Sequence, residues 1–390
     1  MAIEHFSTQL AGRELKVTVG QLAQQANGSC LVQYGETVVL ATAVLGKEKE
    51  GMNYFPLMIN YEERFYAAGK IKGSRFIKRE TRPSDEAVLA GRVIDRSIRP
   101  LFNQDMRCEI QVVITVLAID QENDPAIVGL YATSLALAIS DIPWNGPIAG
   151  LSVGKIDNKL ILNPIKEEKE KSSFDIFIAG KQNSVLMIEA GAHEIPKEEI
   201  LQAITFGAKH LDELTAFFTK IQQKIGLKKN LSVLPNEDKE GMDNKKTTSD
   251  FVNKEIHEYF FKKPLLTKAN RLDAIKEVEQ KLDAFLITKD INEEAREKMM
   301  GYTHQLIYQA VSQAILSKQQ RIDGRAVDEI RSLDCQIGAI PRVHGSAIFQ
   351  RGETQVLSII TLGSPSEEQL LDTMELSCKR RFFHHYNFPP

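Results

Sequence analysis

The stretch Gly28-Ser29-Cys30-Leu31-Val32-Gln33-Tyr34-Gly35-Glu36-Thr37 occurs a second time, 317 positions later, as Gly345-Ser346-Ala347-Ile348-Phe349-Gln350-Arg351-Gly352-Glu353-Thr354. Ten of the twenty positions in the range 27–46 are identical to those in the range 344–363. Chance does not place this pattern twice in register, so we infer that the chain carries a duplicated unit. The second copy begins near Arg321, about seventy residues before the last residue, whereas the first copy needs roughly two hundred. We therefore expect the second copy to be incomplete.

Length and composition indicate an ordinary soluble protein. A chain of 390 residues with 43% hydrophobic content can form two or three domains, each with its own core. The N-terminus lacks the pattern of a signal peptide, and no stretch approaches the eighteen or so apolar residues of a membrane span. We expect a cytoplasmic protein without a membrane partner. The four cysteines are far apart and form no C-x-x-C pair, so neither a zinc site nor a disulfide framework is indicated.

Positive charge is concentrated in one part of the chain. The range 64–99 holds ten basic and four acidic residues, although the whole chain carries a formal net charge of −3. Six surplus positive charges in this range leave a net charge of −9 for the remainder. A basic island in an acidic protein produces a local, oriented field, which favours a polyanionic partner.

The first unit is predicted to combine hairpins with helices. Alternating apolar residues and the Tyr34-Gly35-Glu36 link predict a hairpin that ends near Val44. Ser84 and Asp124 are N-cap residues, which predict helices from Ser84 to about Arg99 and from Asp124 to Ser140. Further elements are predicted as strands around 110–118, 149–153, 160–162, 175–178 and 185–189 and a helix from about Pro196 to Gly226. This mixture predicts an α+β or βαβ-type fold in which sheets pack on helices.

The remaining chain divides into three parts. Charge and polarity rise from Lys228, so we predict a flexible linker over residues 228–249. Residues 250–320 have a helical period and are predicted to form an all-helical domain. The predicted first domain is thus 1–227, and residues 321–390 begin the second copy. The short charged run 166–171 is expected to be a solvated turn.

The basic island contains the residues that favour nucleic-acid binding. In the range 69–79, glycines permit a loop, Lys78 and Arg79 can neutralise phosphates, and Phe76 offers a face on which an unpaired base can stack. A solvated loop with a buried Phe76 is the alternative. The chain contains no P-loop, zinc motif, nucleophile elbow or dinucleotide-binding fingerprint.

Three arginines share one face of the helix predicted after Ser84. Arg92, Arg96 and Arg99 lie at i, i+4 and i+7, so they form either a phosphate-facing surface or a salt-bridge cluster, in which Asp95 can pair with Arg99. His384 and His385 are not expected to bind metal together, because adjacent residues point to opposite sides of a strand.

Six ordered motifs carry a family resemblance. They are Tyr66-Ala67-Ala68-Gly69-Lys70-Ile71, Phe76-Ile77-Lys78-Arg79-Glu80, Arg82-Pro83-Ser84-Asp85, Asp95-Arg96-Ser97-Ile98-Arg99-Pro100-Leu101-Phe102, Arg321-Ile322-Asp323-Gly324-Arg325 and His384-His385-Tyr386-Asn387-Phe388-Pro389-Pro390. Together they resemble bacterial polynucleotide phosphorylase over all 390 residues. The resemblance implies two RNase PH-like units of ribosomal-protein-like βαβ fold joined by an all-helical domain. It also implies KH and OB-fold domains after them and a homotrimeric ring around a central channel.

The resemblance also implies the chemistry. Members of the family degrade mRNA from its 3' end: inorganic phosphate attacks the last phosphodiester, magnesium assists, and a nucleoside diphosphate leaves, in a reaction that can run in reverse as RNA polymerisation. The family's phosphate loop and metal-binding aspartates lie beyond Pro390, so no catalytic residue and no magnesium ligand is expected among these residues. The loop of the first unit that guides single-stranded RNA would fall on Phe76, Lys78, Arg79 and Arg82. Ile77 stands where a second aromatic is typical, and Thr81 where glycine is usual.

Three interpretations follow. The leading one is a polynucleotide phosphorylase by descent, whose active centre is expected to lie outside these 390 residues. The alternative is a non-catalytic RNA-binding or assembly module that keeps the loop. A third is a compact phosphorolytic enzyme that works through the first unit alone.

Overall fold

A computed structural model describes residues 2–48, 52, 54–71, 82–181, 184–234 and 239–388. The chain divides into two compact units. The first comprises Met1–Pro235 together with Gln369–Pro390, and the second comprises Asn236–Glu368. Among the described helices, none combines the length and the apolar character needed to cross a bilayer.

The first unit contains a six-stranded sheet. Its strands, in chain order, are β1 (Glu4–Leu10), β2 (Arg13–Val19), β3 (Gly28–Tyr34), β4 (Thr37–Glu48), β5 (Leu57–Glu62) and β6 (Cys108–Ala118). Their order across the sheet is β1-β2-β3-β4-β6-β5, and all pairs are antiparallel except β5 with β6. The predicted hairpin is confirmed: β3 and β4 turn at Gly35, whose φ of +61° lies in the left-handed region that glycine favours.

A second, four-stranded sheet follows in the same unit. Its strands are β7 (Ala149–Ile156), β8 (Lys159–Leu162), β9 (Phe174–Lys181) and β10 (Ser184–Ala192). They lie in the antiparallel order β10-β9-β7-β8. The strands predicted around 149–153, 160–162, 175–178 and 185–189 are confirmed.

Four helices complete this part of the chain: α1 (Asp85–Ile98), α2 (Pro125–Ile139), α3 (Lys166–Lys171) and α4 (Lys197–Ile225). Fourteen of the fifteen residues of α2 are buried, since this helix packs on β3 and β4 of the first sheet, on β7 of the second and on α4. Its N-cap is Asp124, whose side chain accepts a hydrogen bond from the Ala126 N–H. The predicted limits of α1, α2 and α4 are confirmed to within two residues.

The second unit begins with three helices, α5 (Lys239–Phe260), α6 (Lys268–Ile287) and α7 (Glu293–Lys318), which enclose a core of their own. Helix α5 covers half of the range predicted to be a flexible linker. Thr248, Val252, Ile256 and Phe260 are buried at four-residue spacing, which gives α5 an apolar stripe despite its many charges. Asp243, Lys245 and Lys246 therefore belong to a helix and not to a linker.

The second unit also contains the second copy of the repeat. Its strands are β11 (Leu333–Ile337), β12 (Gly345–Arg351) and β13 (Thr354–Ile360). Leu333 pairs with Arg351 as Leu15 pairs with Tyr34, so β11–β13 reproduce the register of β2–β4. Gly352 repeats the left-handed turn of Gly35 with a φ of +60°.

A last hairpin returns to the first unit. It consists of β14 (Gln369–Asp372) and β15 (Ser377–Arg380), joined by a tip that includes Thr373, Met374 and Glu375. Met374 is fully buried and belongs to the core of the first unit. The tip therefore lies against Lys70 and beside the start of α2.

Candidate nucleic-acid interface

The predicted RNA-binding loop is described only at its two ends. Phe76, Lys78 and Arg79 lie outside the described residues. Arg82 lies in an exposed bend, and Ile71 on the other side of the gap is 80% exposed. What the structure defines is how both ends of this loop are fixed.

The N-terminal end is fixed by a short 3-10 helix (Phe65–Ala68) that ends at Gly69, where φ is +66°. The Lys70 N–H donates to Phe65 O at 2.9 Å. The Lys70 ammonium donates to Thr373 O at 3.2 Å and to Met374 O at 3.1 Å. Lys70 counts toward the charge of the basic island, but its charge is directed at the hairpin tip.

The C-terminal end is fixed by the start of α1. Ser84 accepts a hydrogen bond from the Ala87 N–H at 3.0 Å, which makes it the N-cap of the helix. The Ser84 hydroxyl donates to the Glu63 carboxylate at 2.7 Å. Since Glu63 directly follows β5, the C-terminal end of the loop is held beside that strand.

Two of the three arginines that the sequence places on one helix face are exposed to solvent. Arg92 and Arg96 are exposed, and within the described ranges neither forms an ion pair. Arg99 donates from Nε to Asp95 at 2.9 Å and from Nη2 to Leu57 O at 3.1 Å. The sequence allowed a phosphate-facing or a salt-bridge role for all three. Arg99 has the structural role, as the spacing to Asp95 suggested, whereas Arg92 and Arg96 stay available for an anionic partner.

A cleft of about 180 Å³ lies beside these elements. Five carboxylates and two ammonium groups line it: Glu63, Glu86, Glu122, Asp124, Glu375, Lys166 and Lys169. Lys169 contacts Asp124 at 3.0 Å and Asp175 at 3.3 Å. Burial disfavours the charge of Lys169, but the two carboxylates outweigh it and raise its pKa above the ordinary value.

The cleft is unsuited to a phosphate group. A helix N-terminus can bind an anion through its free N–H groups. At α2, however, the Asp124 carboxylate already accepts from the Ala126 N–H, and Pro125 has no N–H to donate. The surplus of carboxylates repels a further anion. The chemistry of this cleft therefore argues against phosphate binding in the cleft itself.

Sequence reasoning missed this cleft. The run 166–171, expected to be a solvated turn, forms the short helix α3, and Lys169 is only 28% exposed because it joins two carboxylates. Asp124 was recognised only as a helix cap. No local pattern connects these residues with Glu375, which comes from the distant hairpin, so a sequence signal for the cleft was absent.

The described residues of the cleft do not form a metal site. Across the ranges that the structure describes, no three or more His, Cys, Asp or Glu side chains are arranged to hold a metal ion. The described carboxylates of the cleft therefore do not fit a magnesium site.

Comparison with family models identifies the chain. The model described as "3' exoribonuclease family, domain 1", an RNase PH model, matches residues 11–143 and again residues 329–390. The chain belongs to the 3' exoribonuclease family. The model described as "3' exoribonuclease family, domain 2" matches residues 146–210. The first match covers both copies of the repeat, in agreement with the shared register of β2–β4 and β11–β13.

Several curated relatives carry the name polyribonucleotide nucleotidyltransferase. The chain is 44% identical to polyribonucleotide nucleotidyltransferase of Bacillus licheniformis over 387 residues, which are 98% of this chain and 54% of that protein. The same enzyme of Geobacillus kaustophilus is 43% identical over 99% of this chain and 52% of its own length. The Bacillus subtilis enzyme is 42% identical over 98% of this chain and 54% of its own length. The chain thus spans about half the length of these relatives.

A solved structure of rice (Oryza sativa) Rrp46 is also similar, at 14% identity and a TM-score of 0.44, over 56% of this chain and 95% of that one. The family resemblance inferred from the sequence motifs is confirmed by the family models and the relatives. The α+β fold class, with RNase PH-like units and a helical segment, is confirmed as well.

Proposed function

We propose that the protein is a polynucleotide phosphorylase, a 3'-to-5' exoribonuclease of mRNA decay that uses inorganic phosphate and works in the cytoplasm as a homotrimer with magnesium. An oxygen of inorganic phosphate attacks the phosphorus of the terminal phosphodiester, the 3' oxygen of the preceding nucleotide leaves, and a nucleoside diphosphate is released. The reverse reaction extends RNA. The observation that carries this proposal is identity of 42–44% to polyribonucleotide nucleotidyltransferases over nearly the whole chain.

In this proposal the first unit guides RNA and does not cleave it. Phe76, Lys78, Arg79 and Arg82 contact a single strand, with Arg92 and Arg96 as further phosphate contacts. Support comes from the exposure of Arg82, Arg92 and Arg96 and from the fixed ends of the loop. The carboxylates that line the cleft beside α2 would repel an attacking phosphate there, which supports a guiding role for the described part of this unit.

The activity is tested on the protein isolated from its own cells with an antiserum raised against the 390-residue polypeptide. We expect release of nucleoside diphosphates from oligoadenylate that depends on added phosphate. If the isolated protein binds RNA but releases no diphosphate, the alternative of a non-catalytic RNA-binding or assembly module holds instead. The surplus of carboxylates along the cleft is the specific observation in favour of that alternative.

We expect the 390-residue polypeptide alone not to phosphorolyse RNA, because the family's phosphate loop and metal-binding aspartates match none of its residues. The measurement is incubation with oligoadenylate, phosphate and magnesium, with a mock preparation as the control. Diphosphate above the mock level would restore the interpretation in which the first unit is a compact enzyme.

RNA binding is tested at the loop itself. Replacing Lys78 and Arg79 with alanine should weaken binding to all sequences and flatten its salt dependence by about one to two phosphate contacts. Phe76→Ala should cost roughly 1–3 kcal/mol of binding free energy and leave the salt dependence nearly unchanged. Lys209 and Lys220, exposed on α4, provide a matched double-alanine control. A loop variant that titrates like this control at every salt concentration would remove the loop from the interface.

A further inference from the structure

The C-terminal end of the buried helix α2 is closed by the segment that follows α4. The last carbonyl groups of a helix have no partner within the helix and need donors from elsewhere. Since nearly all of α2 is buried, these donors have to come from the protein. Residues 227–230 provide them: the Leu227 N–H donates to Ile139 O at 2.9 Å, and the Asn230 N–H donates to Asp141 O at 2.7 Å.

The side chain of Lys229 provides the remaining donors. Its ammonium nitrogen lies 2.8 Å from Leu137 O, 3.0 Å from Ala138 O and 2.7 Å from Ser140 O. An ammonium group carries three N–H donors, so there is one for each of these carbonyls. A positive charge at the C-terminal end of α2 is also favoured by the helix dipole. The segment thus caps four consecutive carbonyls, those of residues 137–140.

Polar contacts hold this segment more than apolar ones do. Leu227 is 46% exposed and Leu231 is 64% exposed, whereas Val233 and Leu234 pack in part against the core. Of the five hydrogen bonds that join the segment to the end of α2, Lys229 makes three. The attachment therefore depends on the donors of one side chain.

The amine of Lys229 is accessible to a small reagent, because the residue is half-buried and not enclosed. The acidic group near it is Asp141, whose carboxylate accepts from the Asn27 side-chain amide at 3.0 Å. Burial lowers the pKa of Lys229 to about 8, against the smaller opposing effect of Asp141. A lysine with a lowered pKa is more often in the neutral, nucleophilic form than an ordinary lysine is.

We propose that Lys229 is an acylation site, and that its modification by an acyl phosphate detaches the segment after α4 from the end of α2. The neutral amine attacks the acyl carbon and a carbon–nitrogen bond forms. The bond from that carbon to the phosphate oxygen breaks, inorganic phosphate leaves with the electron pair, and the surplus proton on nitrogen passes to solvent. The amide that results keeps one N–H donor for three carbonyls, and its acyl group needs space in a half-buried site. Two carbonyls at the end of a buried helix thus lose their donors.

The experiment treats the folded chain with acetyl phosphate. Mass spectrometry of the digested protein locates the acetyl groups, and we expect Lys229 to be modified at least as fast as its exposed neighbour Lys228. Hydrogen–deuterium exchange should then show that protection of residues 227–234 has fallen by roughly ten- to a hundred-fold, relative to the peptide that contains β6. The proposal is overturned if Lys229 stays unmodified while Lys228 is acetylated, or if acetylation of Lys229 leaves the protection of the segment unchanged.

Three variants separate this site from the other lysines. Lys229→Met removes all three donors and cannot be acylated, so its segment should exchange rapidly with or without treatment. Lys229→Arg keeps a charged donor group that acetyl phosphate does not acylate, so its segment should stay protected after treatment. Lys228→Met is the matched control and should behave as the parent does.

Fluorescence of the buried Trp144 shows whether each variant folds, and the acetylated parent decides if Lys229→Met does not. Equal protection of the segment in Lys229→Met and Lys228→Met overturns the proposal. Loss of protection in treated Lys229→Arg to the extent seen in the treated parent does so as well, because other lysines would then be responsible.

Discussion

Asp120 connects the repeated turn to the start of the buried helix. Its carboxylate accepts from the N–H groups of Glu36 at 2.9 Å and Thr37 at 3.2 Å, on the β3–β4 turn. It also accepts from the N–H groups of Glu122 at 3.0 Å and Asn123 at 2.8 Å, just before α2. One side chain thus satisfies donors on two loops that are more than eighty residues apart.

Replacing Asp120 with alanine is expected to destabilise the first unit by about 1–3 kcal/mol, because the part-buried N–H groups of Thr37 and Asn123 lose their acceptor together. Fluorescence of Trp144, which is the single tryptophan and is buried in this unit, follows unfolding in urea. Asp105→Ala, at an exposed turn of the same unit, is the control and should be near neutral. Equal midpoints for the two variants would contradict the role of Asp120.

The charge of Asp120 also makes the stability of the first unit depend on pH in the acid range. Burial disfavours its ionisation, but the hydrogen bonds from Asn123, Glu122 and Glu36 outweigh burial and lower its pKa to about 2. Since the unfolded chain ionises near 3.8, the stabilisation is present above that pH and is lost as the pH falls toward 2. The difference in unfolding free energy between the parent and Asp120→Ala should therefore shrink over this interval, as urea titrations at each pH would measure. A constant difference would show that the charge is irrelevant.

Among the elements, those with local signals were predictable. Helices α1 and α2 carry their own N-caps, Ser84 and Asp124, so their starts could be placed from the sequence. Strand β1 has few apolar residues, and β5 pairs in parallel with β6, which follows it about fifty residues later along the chain. Both strands are stabilised by partner strands that a local sequence pattern does not reveal. For that reason neither β1 nor β5 was predicted.

The same distinction applies to the candidate site. The pairing of Asp95 with Arg99 follows from i,i+4 spacing and was predicted. The pairing of Lys169 with Asp124 joins residues 45 positions apart and arises only when α3 packs beside the start of α2. Glu375 reaches the cleft from still farther along the chain. Sequence alone therefore gave the basic island and its helix but not the acidic cleft beside them.

The repeat offers a comparison of one strand position in two environments. A Cβ atom added to Gly28 would lie 2.1 Å from the Ala136 carbonyl oxygen of α2, whereas one added to Gly345 would lie 3.7 Å from its nearest neighbour, Ile360. Gly28→Ala is therefore expected to lower the unfolding free energy of the first unit by about 1–3 kcal/mol. Gly345→Ala should stay within about 0.5 kcal/mol of the parent.

These two variants are compared by urea unfolding, followed by far-ultraviolet circular dichroism for the whole chain and by Trp144 fluorescence for the first unit. Parent-like unfolding of Gly28→Ala in the fluorescence signal would contradict the close packing of α2 on β3. A large loss of stability in Gly345→Ala would show that the second copy is packed in solution as the first one is.

At the scale of the molecule, the two copies share a register but differ in what covers them. In the first copy, α2 packs on β3 and β4, and β4 also pairs with β6. In the second copy, the described residues give β13 one partner strand, β12. All seven residues of β13 are exposed, including Val356 at 47% and Ile360 at 58%. Similar sequence therefore forms similar strands with very different burial.

Burial and edge pairing determine how readily a strand opens, so the two copies should exchange their amide hydrogens at different rates. Residues 354–360 are expected to exchange at least about a hundred-fold faster than residues 37–43, because opening β13 breaks one strand pairing and exposes little apolar surface. Opening β4 breaks two pairings and uncovers the face beneath α2. Exchange measured by mass spectrometry in dilute protein compares the two segments within one chain, so differences in conditions cancel. Equal protection of both segments would mean that β13 is covered in solution, and protection that rises with protein concentration would identify another copy of the chain as the cover.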